Sequence, residues 1–397
     1  MPKHKNDART AKGRSRRSFL KGSAALGAAA IAAPAILKTS PRQARADDNV
    51  IRIIGPNVIA LDDWTAFTEE TGLTVEWKGI ASDPGVFLKE AIADEAGEDF
   101  DMFCFDGGVE DRLAPEGLIM PIDEAAMKRW EGVPDNVKRS PLLRGKDGTQ
   151  YGVPIVFNAD SFAYFPDLID REEPLTYDLL FDSEVTLGKV SLEDTWLTTF
   201  AMAGMYLKHH GLATIDQPSN MTAEEARTTA DFLIERKNAG QFRSLWGTWE
   251  ESIDLMANGE VIVQNCWEPA VKALQRQGHN VRYAYTVEGY NKWMLGAYIP
   301  SQAADRGNLE KIYRAIDGFL GGAYSAQIAV LRGYVTGNPQ LGLDFAKSMN
   351  WEPEKIQSIE DNLDKIQNKF TAEQFWQNAA PDNMQSIESE WERFVQA

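Results

Sequence analysis

The sequence predicts an α/β fold in two lobes joined by a two-segment hinge, and three observations carry that expectation. From residue 50 onward, strand-like and helix-like stretches alternate as β-α-β-α-β with short connections, the pattern of a lobe built on a largely parallel sheet. Two extended segments, 151–157 and 293–300, read as crossings out of that lobe and back into it. The 351 residues after position 46 exceed one ordinary core and suit two.

Taken in order, Val50, Ile51, Ile53 and Ile54 form a β-branched run ended by Gly55 and Pro56, a strand and a turn. Leu61, Trp64 and Phe67 stand at helical spacing and predict a helix over 61–70, stopped by Gly72. Residues 73–77 alternate as a second strand. Residues 84–96 suit a helix with Val86, Phe87, Ile92 and Ala93 turned inward, and 100–105 form a third strand ended by Asp106, Gly107 and Gly108. After the first crossing come a strand at 190–192, helices over 194–209, 223–239 and 252–258, and strands at 261–266 and 281–285. After the return crossing, Ile312, Ile316, Phe319 and Leu320 mark one face of a helix over 309–320, and 353–395 reads as helical and acidic. Trp246 and Trp249 are expected between helices. The domain boundaries implied are 1–46, a cleaved segment; 47–155, the first part of lobe one; 156–292, lobe two; 293–335, the return to lobe one; and 336–397, a helical C-terminal segment.

The N-terminus explains why 1–46 stands apart. Arg16 and Arg17 form a twin-arginine pair followed by Phe19, Leu20 and Lys21, then an Ala-rich apolar stretch to Leu37, then Ala44, Arg45 and Ala46 as a small-residue cleavage site. A basic region, a short apolar region and small residues at the cut are the parts of an export signal, here of the twin-arginine type, and place the mature protein in the periplasm. Removing residues 1–46 takes away eleven of the 41 basic residues and one of the 59 acidic ones, leaving 30 against 58, a net charge of −28. Such a chain repels nucleic acid and anionic lipid. No later apolar run is long enough to span a bilayer.

Motifs of the enzyme classes are missing. The chain has no GxSxG, no phosphate-binding loop, no dinucleotide fingerprint and no His or Cys pair at metal-ligand spacing, so no metal or cofactor is expected. Cys104 and Cys266 lie in separate apolar strands and read as buried free thiols. Asp106 ends a strand, where open α/β sheets bind ligands, and Gly107 and Gly108 would leave N–H groups free beside it. The acid suits a cation and the N–H groups an anion, and Asp106 and Asp194 would equally serve as helix caps. Asn158, Asp160 and Ser161 directly follow the first crossing, and Glu268 follows Trp267.

A family resemblance rests on short pieces in order. The segment 67–75 after the first strand, Phe100-Asp101-Met102, Glu116-Gly117-Leu118 with Pro121-Ile122-Asp123, Gly152-Val153-Pro154, Gly259-Glu260 with Trp267, and Tyr298-Ile299-Pro300 together resemble the bacterial extracellular solute-binding proteins of ABC importers, nearest the spermidine/putrescine-binding branch. The resemblance implies the two-lobed periplasmic binding protein fold, type II-like, closing on a small solute and delivering it to a membrane permease, as a monomer and without catalysis. It places the cleft aromatics on Trp267 and Trp293 and one carboxylate on Asp194. It also predicts acids where Leu197 and Leu295 stand, and aromatics where Gly55, Val58 and Gly108 or Val109 stand. Two acids replaced by leucine would leave one ammonium of a long polyamine unpaired, which is costly, so a smaller amine or polar solute fits better. The expected ligand-binding residues are Trp267, Trp293, Asp194, Asp106, Asp160 and Glu268. An exported enzyme or a ligand-sensing partner of a membrane receptor would share the fold and remain the alternatives.

Overall fold

The β-branched run at the start of the mature chain becomes β1 (Val50–Pro56), with Ile51, Ile53 and Ile54 fully buried. In the computed structural model, residues 49–397 are described except 83, 139, 371–375 and 379. The expected export signal and its cleavage site lie outside the described residues. Helix α1 (Thr65–Thr71) is shorter than the sequence suggests, because Asp63 takes hydrogen bonds from the Thr65 backbone and hydroxyl and holds the preceding turn outside the helix. Gly72, at φ +69°, closes it in the left-handed conformation that glycine accepts without cost. β2 (Thr74–Ile80) follows as an edge strand paired in parallel with β1.

The expected helix over 84–96 is broken. α2 (Pro84–Leu88) passes into a wider turn over Lys89–Ala93 that rotates the later side chains. Phe87 is buried as expected and Val86 partly so, but Ala91 turns inward in place of Ile92, which is 45% exposed, and of Ala93, which is also exposed, a correction to the predicted inward face. β3 (Met102–Asp106) is buried throughout and parallel to β1. Then come α3 (Glu110–Leu113), the two-residue β4 (Ile119–Met120) and α4 (Asp135–Lys138).

The first crossing is a single strand of 13 residues, β5 (Gly152–Tyr164), buried along its whole length. The second lobe continues with α5 (Asp178–Phe181), β6 (Val190–Glu193), α6 (Trp196–His209), α7 (Ala223–Asn238), β7 (Phe242–Trp246), α8 (Trp249–Ala257), β8 (Val263–Cys266), α9 (Glu268–Arg276) and β9 (Arg282–Tyr283). Both α7 and α8 start with a capping box, Thr222 with Glu225 and Thr248 with Glu251, which satisfies the first N–H groups of each helix. β10 (Asn291–Pro300) returns antiparallel to β5 with a bulge between Leu295 and Gly296. It leads into α10 (Ser301–Asp305), α11 (Leu309–Phe319), α12 (Gly322–Arg332), β11 (Val335–Thr336), α13 (Pro339–Ser348), α14 (Pro353–Lys369) and α15 (Met384–Gln396). The buried face read on α11 is present, with Ile312, Ile316, Phe319 and Leu320 all inside. α13 falls in the segment 336–397 read as helical, whereas α12 falls in a stretch for which periodicity suggested nothing; α12 is Ala-rich and buried on most sides, so it has no amphipathic signature.

The strands form one curled sheet in the order β2-β1-β3-β10-β5-β8-β6-β7. β5 joins its two halves: residues 152–160 pair with β10, and Ser161–Tyr164 pair with β8. One apolar core gathers around β1, β3 and β10, and another around β6, α6 and α7. These are the two lobes. Two strands link them, and the chain then passes between them a third time. Ile366 of α14 packs on the first core, Trp376 bridges to Lys292 of β10, and Ile387, Trp391 and Phe394 of α15 lie in the second core. No helix among the described residues is long and apolar enough to cross a membrane. Cys104 and Cys266 are buried free thiols whose pKa values burial pushes up.

Candidate functional site

The sheet changes lobes at Asp160 and Ser161, and a cavity of about 320 Å³ opens there. A crevice where strand order switches is where open α/β sheets take ligands. Lobe one contributes Asp106 at the end of β3 and Trp293 and Leu295 on β10. Lobe two contributes Glu193, Asp194, Trp196, Leu197, Thr198, Trp246 and Trp267. Asp160 lies between them on β5, and Tyr334 and Gln377 come from the later chain.

Five of the six residues expected from sequence line this cavity: Trp267, Trp293, Asp194, Asp106 and Asp160. Glu268 does not. Its carboxylate turns to Lys365, 2.5 Å away, and to the Asn158 amide at 3.1 Å, because the first turn of α9 carries it away from Trp267. The other open readings resolve as well. Neither acid caps a helix: Thr195 caps α6 by accepting from Leu197, and the residue preceding α3 is Val109. The N–H groups of Gly107 and Gly108 are not free for an anion, since they donate to the Met294 carbonyl and to Glu110. Trp246, expected between helices, ends β7 and stands edge-on to Trp267, with ring centres 5.7 Å apart. Its indole N–H donates to the Asn265 carbonyl at 2.9 Å, which locks the pair.

Sequence reasoning missed Glu193, Trp246, Tyr334 and Gln377 as lining residues. Glu193 is buried at the end of β6, and the Thr198 hydroxyl donates to it at 2.6 Å. The one available signal was its place beside Asp194. Tyr334 stands edge-on to Trp293, with ring centres 5.0 Å apart, and comes from a region without a legible pattern.

The electrostatics are one-sided. Four carboxylates line the cavity, and no Lys, Arg or His among the described residues does. Asp160 is 2% exposed; it accepts from the Trp293 indole at 2.8 Å and from the Tyr283 hydroxyl at 3.4 Å. Burial pushes its pKa up to about 7, against the pull of the Trp293 hydrogen bond, the Lys369 charge and Tyr283. Burial raises Glu193 to about 8, opposed by Thr198 and the Trp267 indole. Carboxylates whose ionised form is desolvated favour a cation that neutralises them. Trp267 and Trp293 put two indole rings in the cavity wall, and rings of this kind attract cations to their faces. Leu197 and Leu295, standing where the resemblance predicts acids, put apolar side chains in the wall. Among the described residues, no group of His, Cys, Asp and Glu is placed to hold a metal ion.

Two lobes of sheet and helix closing around an acidic, aromatic-walled cleft define a solute-binding clamshell. The chain belongs to the bacterial extracellular solute-binding protein family, whose sequence pattern matches residues 64–308. The twin-arginine translocation pathway signal matches residues 15–33, so the protein is exported to the periplasm by that route. Among curated proteins no sequence matches. Solved structures of similar fold include the spermidine/putrescine ABC transporter substrate-binding protein PotD of Streptococcus pneumoniae, at 16% identity and a TM-score of 0.67, covering 88% of this chain and 99% of that one. A putative spermidine/putrescine ABC transporter protein from Listeria monocytogenes matches at 16% identity and 0.64, covering 87% and 99%. MotA of A. tumefaciens B6, solved with glucopine, matches at 16% and 0.60, covering 88% and 99%.

Proposed function

We propose that this protein is the periplasmic substrate-binding component of an ABC importer and that its solute is a small organic cation. The observation that carries the reading is the cluster of Asp106, Asp160, Glu193 and Asp194 in a cleft with no basic lining residue among those described. The cationic head sits against Asp160 and Glu193, and the apolar body lies between Trp267 and Trp293. Asp194, on the exposed rim, and Asp106 steer the cation inward. The spermidine/putrescine proteins among its structural relatives support an amine. The cavity is at the small end of ligand sites, and the two leucines leave one side without a counter-charge, which favours a compact amine over a long polyamine. The protein acts as a monomer, performs no covalent chemistry, and hands the solute to a membrane permease.

A thermal-shift screen of the mature protein against putrescine, spermidine, betaines, amino acids, sugars and small organic acids tests this. Ligand at a hundred times its dissociation constant adds about 2.7 kcal/mol to native-state stability. Stabilisation by amines and not by sugars or acids is the expected outcome. Stabilisation by sugars or organic acids alone would overturn the cation assignment.

A further inference from the structure

A second cavity, of about 370 Å³, adjoins the acidic cleft and is lined by Glu268, Tyr283, Tyr285, Lys365 and Lys369 among others. Its residues come from both lobes. α14, which brings the lysines, packs Ile366 on the first core, whereas α9, which brings Glu268, packs in the second lobe. All three donors of the Lys365 ammonium are used: to Glu268 at 2.5 Å, to the Gly333 carbonyl at 2.8 Å and to the Asn362 amide oxygen at 2.8 Å. Burial would raise the Glu268 pKa, but Lys365, Lys369 and Lys272 hold it below the usual carboxylate range. Gly333, at φ +75°, leaves the room; a Cβ there would meet the Glu268 side chain at 3.2 Å.

This cluster meets the cleft at Tyr283, whose hydroxyl donates to Asp160, and at the start of α9. Glu268 is the first residue of α9, and Trp267, the wall of the cleft, is its N-cap. The Trp267 side chain makes no capping bond to α9; its ring meets Trp246 edge-on and its indole hydrogen-bonds to Glu193 in the cleft. The first turn of α9 is itself tied by the Glu268 carboxylate to Lys365 of the other lobe and to Asn158 of the crossing strand.

We propose that Lys365 is a positioning residue for solute capture: through Glu268 it fixes the first turn of α9 and sets the Trp267 ring against the cleft. The ring's place then depends on an interlobe ion pair remote from the solute. The proposal rests on Trp267 being a wall of the solute site, and the test separates the two. The mature protein is labelled with 5-fluorotryptophan, and the Trp267 fluorine resonance is assigned with Trp267→Phe. Lys365→Met strands a buried carboxylate and can fail to fold, so the deciding variant is Glu268→Gln/Lys365→Met, which removes both charges of the pair together while Lys369 keeps its contacts with the Tyr283, Tyr285 and Tyr290 rings. In that variant the Trp267 resonance is expected to shift or broaden while that of Trp130, in the distant part of lobe one, stays. The dissociation constant for putrescine, where the parent protein binds it, is expected to weaken about tenfold. A Trp267 resonance left at its parental position would overturn the proposal, whatever putrescine does. A parent protein indifferent to putrescine would count against the amine reading and leave the resonance to decide the role of Lys365.

Discussion

The acidic cleft and the lysine pocket share a wall, yet they treat charge in opposite ways. In the lysine pocket, Glu268 has Lys365 at 2.5 Å and Asn158 at 3.1 Å, and the Lys369 ammonium lies 4.6, 4.9 and 4.8 Å from the ring centres of Tyr283, Tyr285 and Tyr290. Glu268, Lys365 and Lys369 there all have internal partners. In the cleft, Asp160 and Glu193 are also buried, but their hydrogen-bond donors are neutral: Trp293 and Tyr283 for Asp160, Thr198 and Trp267 for Glu193, with the Lys369 charge acting on Asp160 without a hydrogen bond between them. A desolvated carboxylate with neutral partners gains most from a cation brought from outside. The difference separates a structural ion pair from a pair of buried carboxylates whose hydrogen-bond donors are neutral, as the proposed cation site requires.

The comparison breaks most visibly at the ion pair. Lys365→Met should destabilise the apoprotein by about 3–5 kcal/mol, because it strands Glu268 in a dry site, and Glu268→Gln/Lys365→Met should recover most of that. Thermal melts of the three proteins check it; an unchanged melting temperature in the single variant would show that Glu268 is not dependent on Lys365. The cleft should behave in reverse. Asp160→Asn should leave the fold intact and weaken amine binding by about 1.5–3 kcal/mol, read by calorimetry. Trp267→Ala should cost about 1–3 kcal/mol of binding if the ring stacks on the solute, and an unchanged affinity would place that ring outside the site.

The smallest effect sharpens the contrast through pH. With Asp160 at about 7 and Glu193 at about 8, amine affinity should strengthen by about tenfold from pH 6 to 8 as Asp160 ionises, with protons released on binding. Buffers of different ionisation enthalpy reveal that release. The sign for the apoprotein is opposite. Because folding raises the Asp160 pKa, its contribution to stability is complete below the ordinary carboxylate range and is lost as pH rises through about 7. An apoprotein melting temperature that climbs from pH 5 to 8 would contradict the assignment.

Much of this contrast was legible in the sequence on the cleft side and little on the other. Trp267, Trp293 and Asp160 stand at strand ends or beside crossings, where periodicity and punctuation mark positions along the chain. Glu268 was drawn to the wrong cavity by adjacency: one step along a helix rotates a side chain by about 100°, which separates it from Trp267. Lys365 and Lys369 sit in a polar, acidic helix that reads as a solvated face, and their burial follows from the third passage of the chain between lobes. No local pattern announces a contact between residues 268 and 365. The wider turn at Lys89–Ala93 and the buried α12 escaped for a related reason, since both depart from the 3.6-residue amphipathic period on which the reading depends.

The last helix carries a consequence for how the chain reaches its folded state. Ile387, Trp391 and Phe394 fill the same core as Leu192 and Phe200, about two hundred positions earlier. Lys237 donates to the carbonyls of Phe394 and Val395, and Arg393 pairs with Asp231, clasping α15 onto α7. Lobe two therefore cannot seal until α15 has joined it, so its folding waits on contacts that close a loop of about two hundred residues. Clipping α15 should leave that lobe exposing an apolar groove and make the chain prone to aggregate.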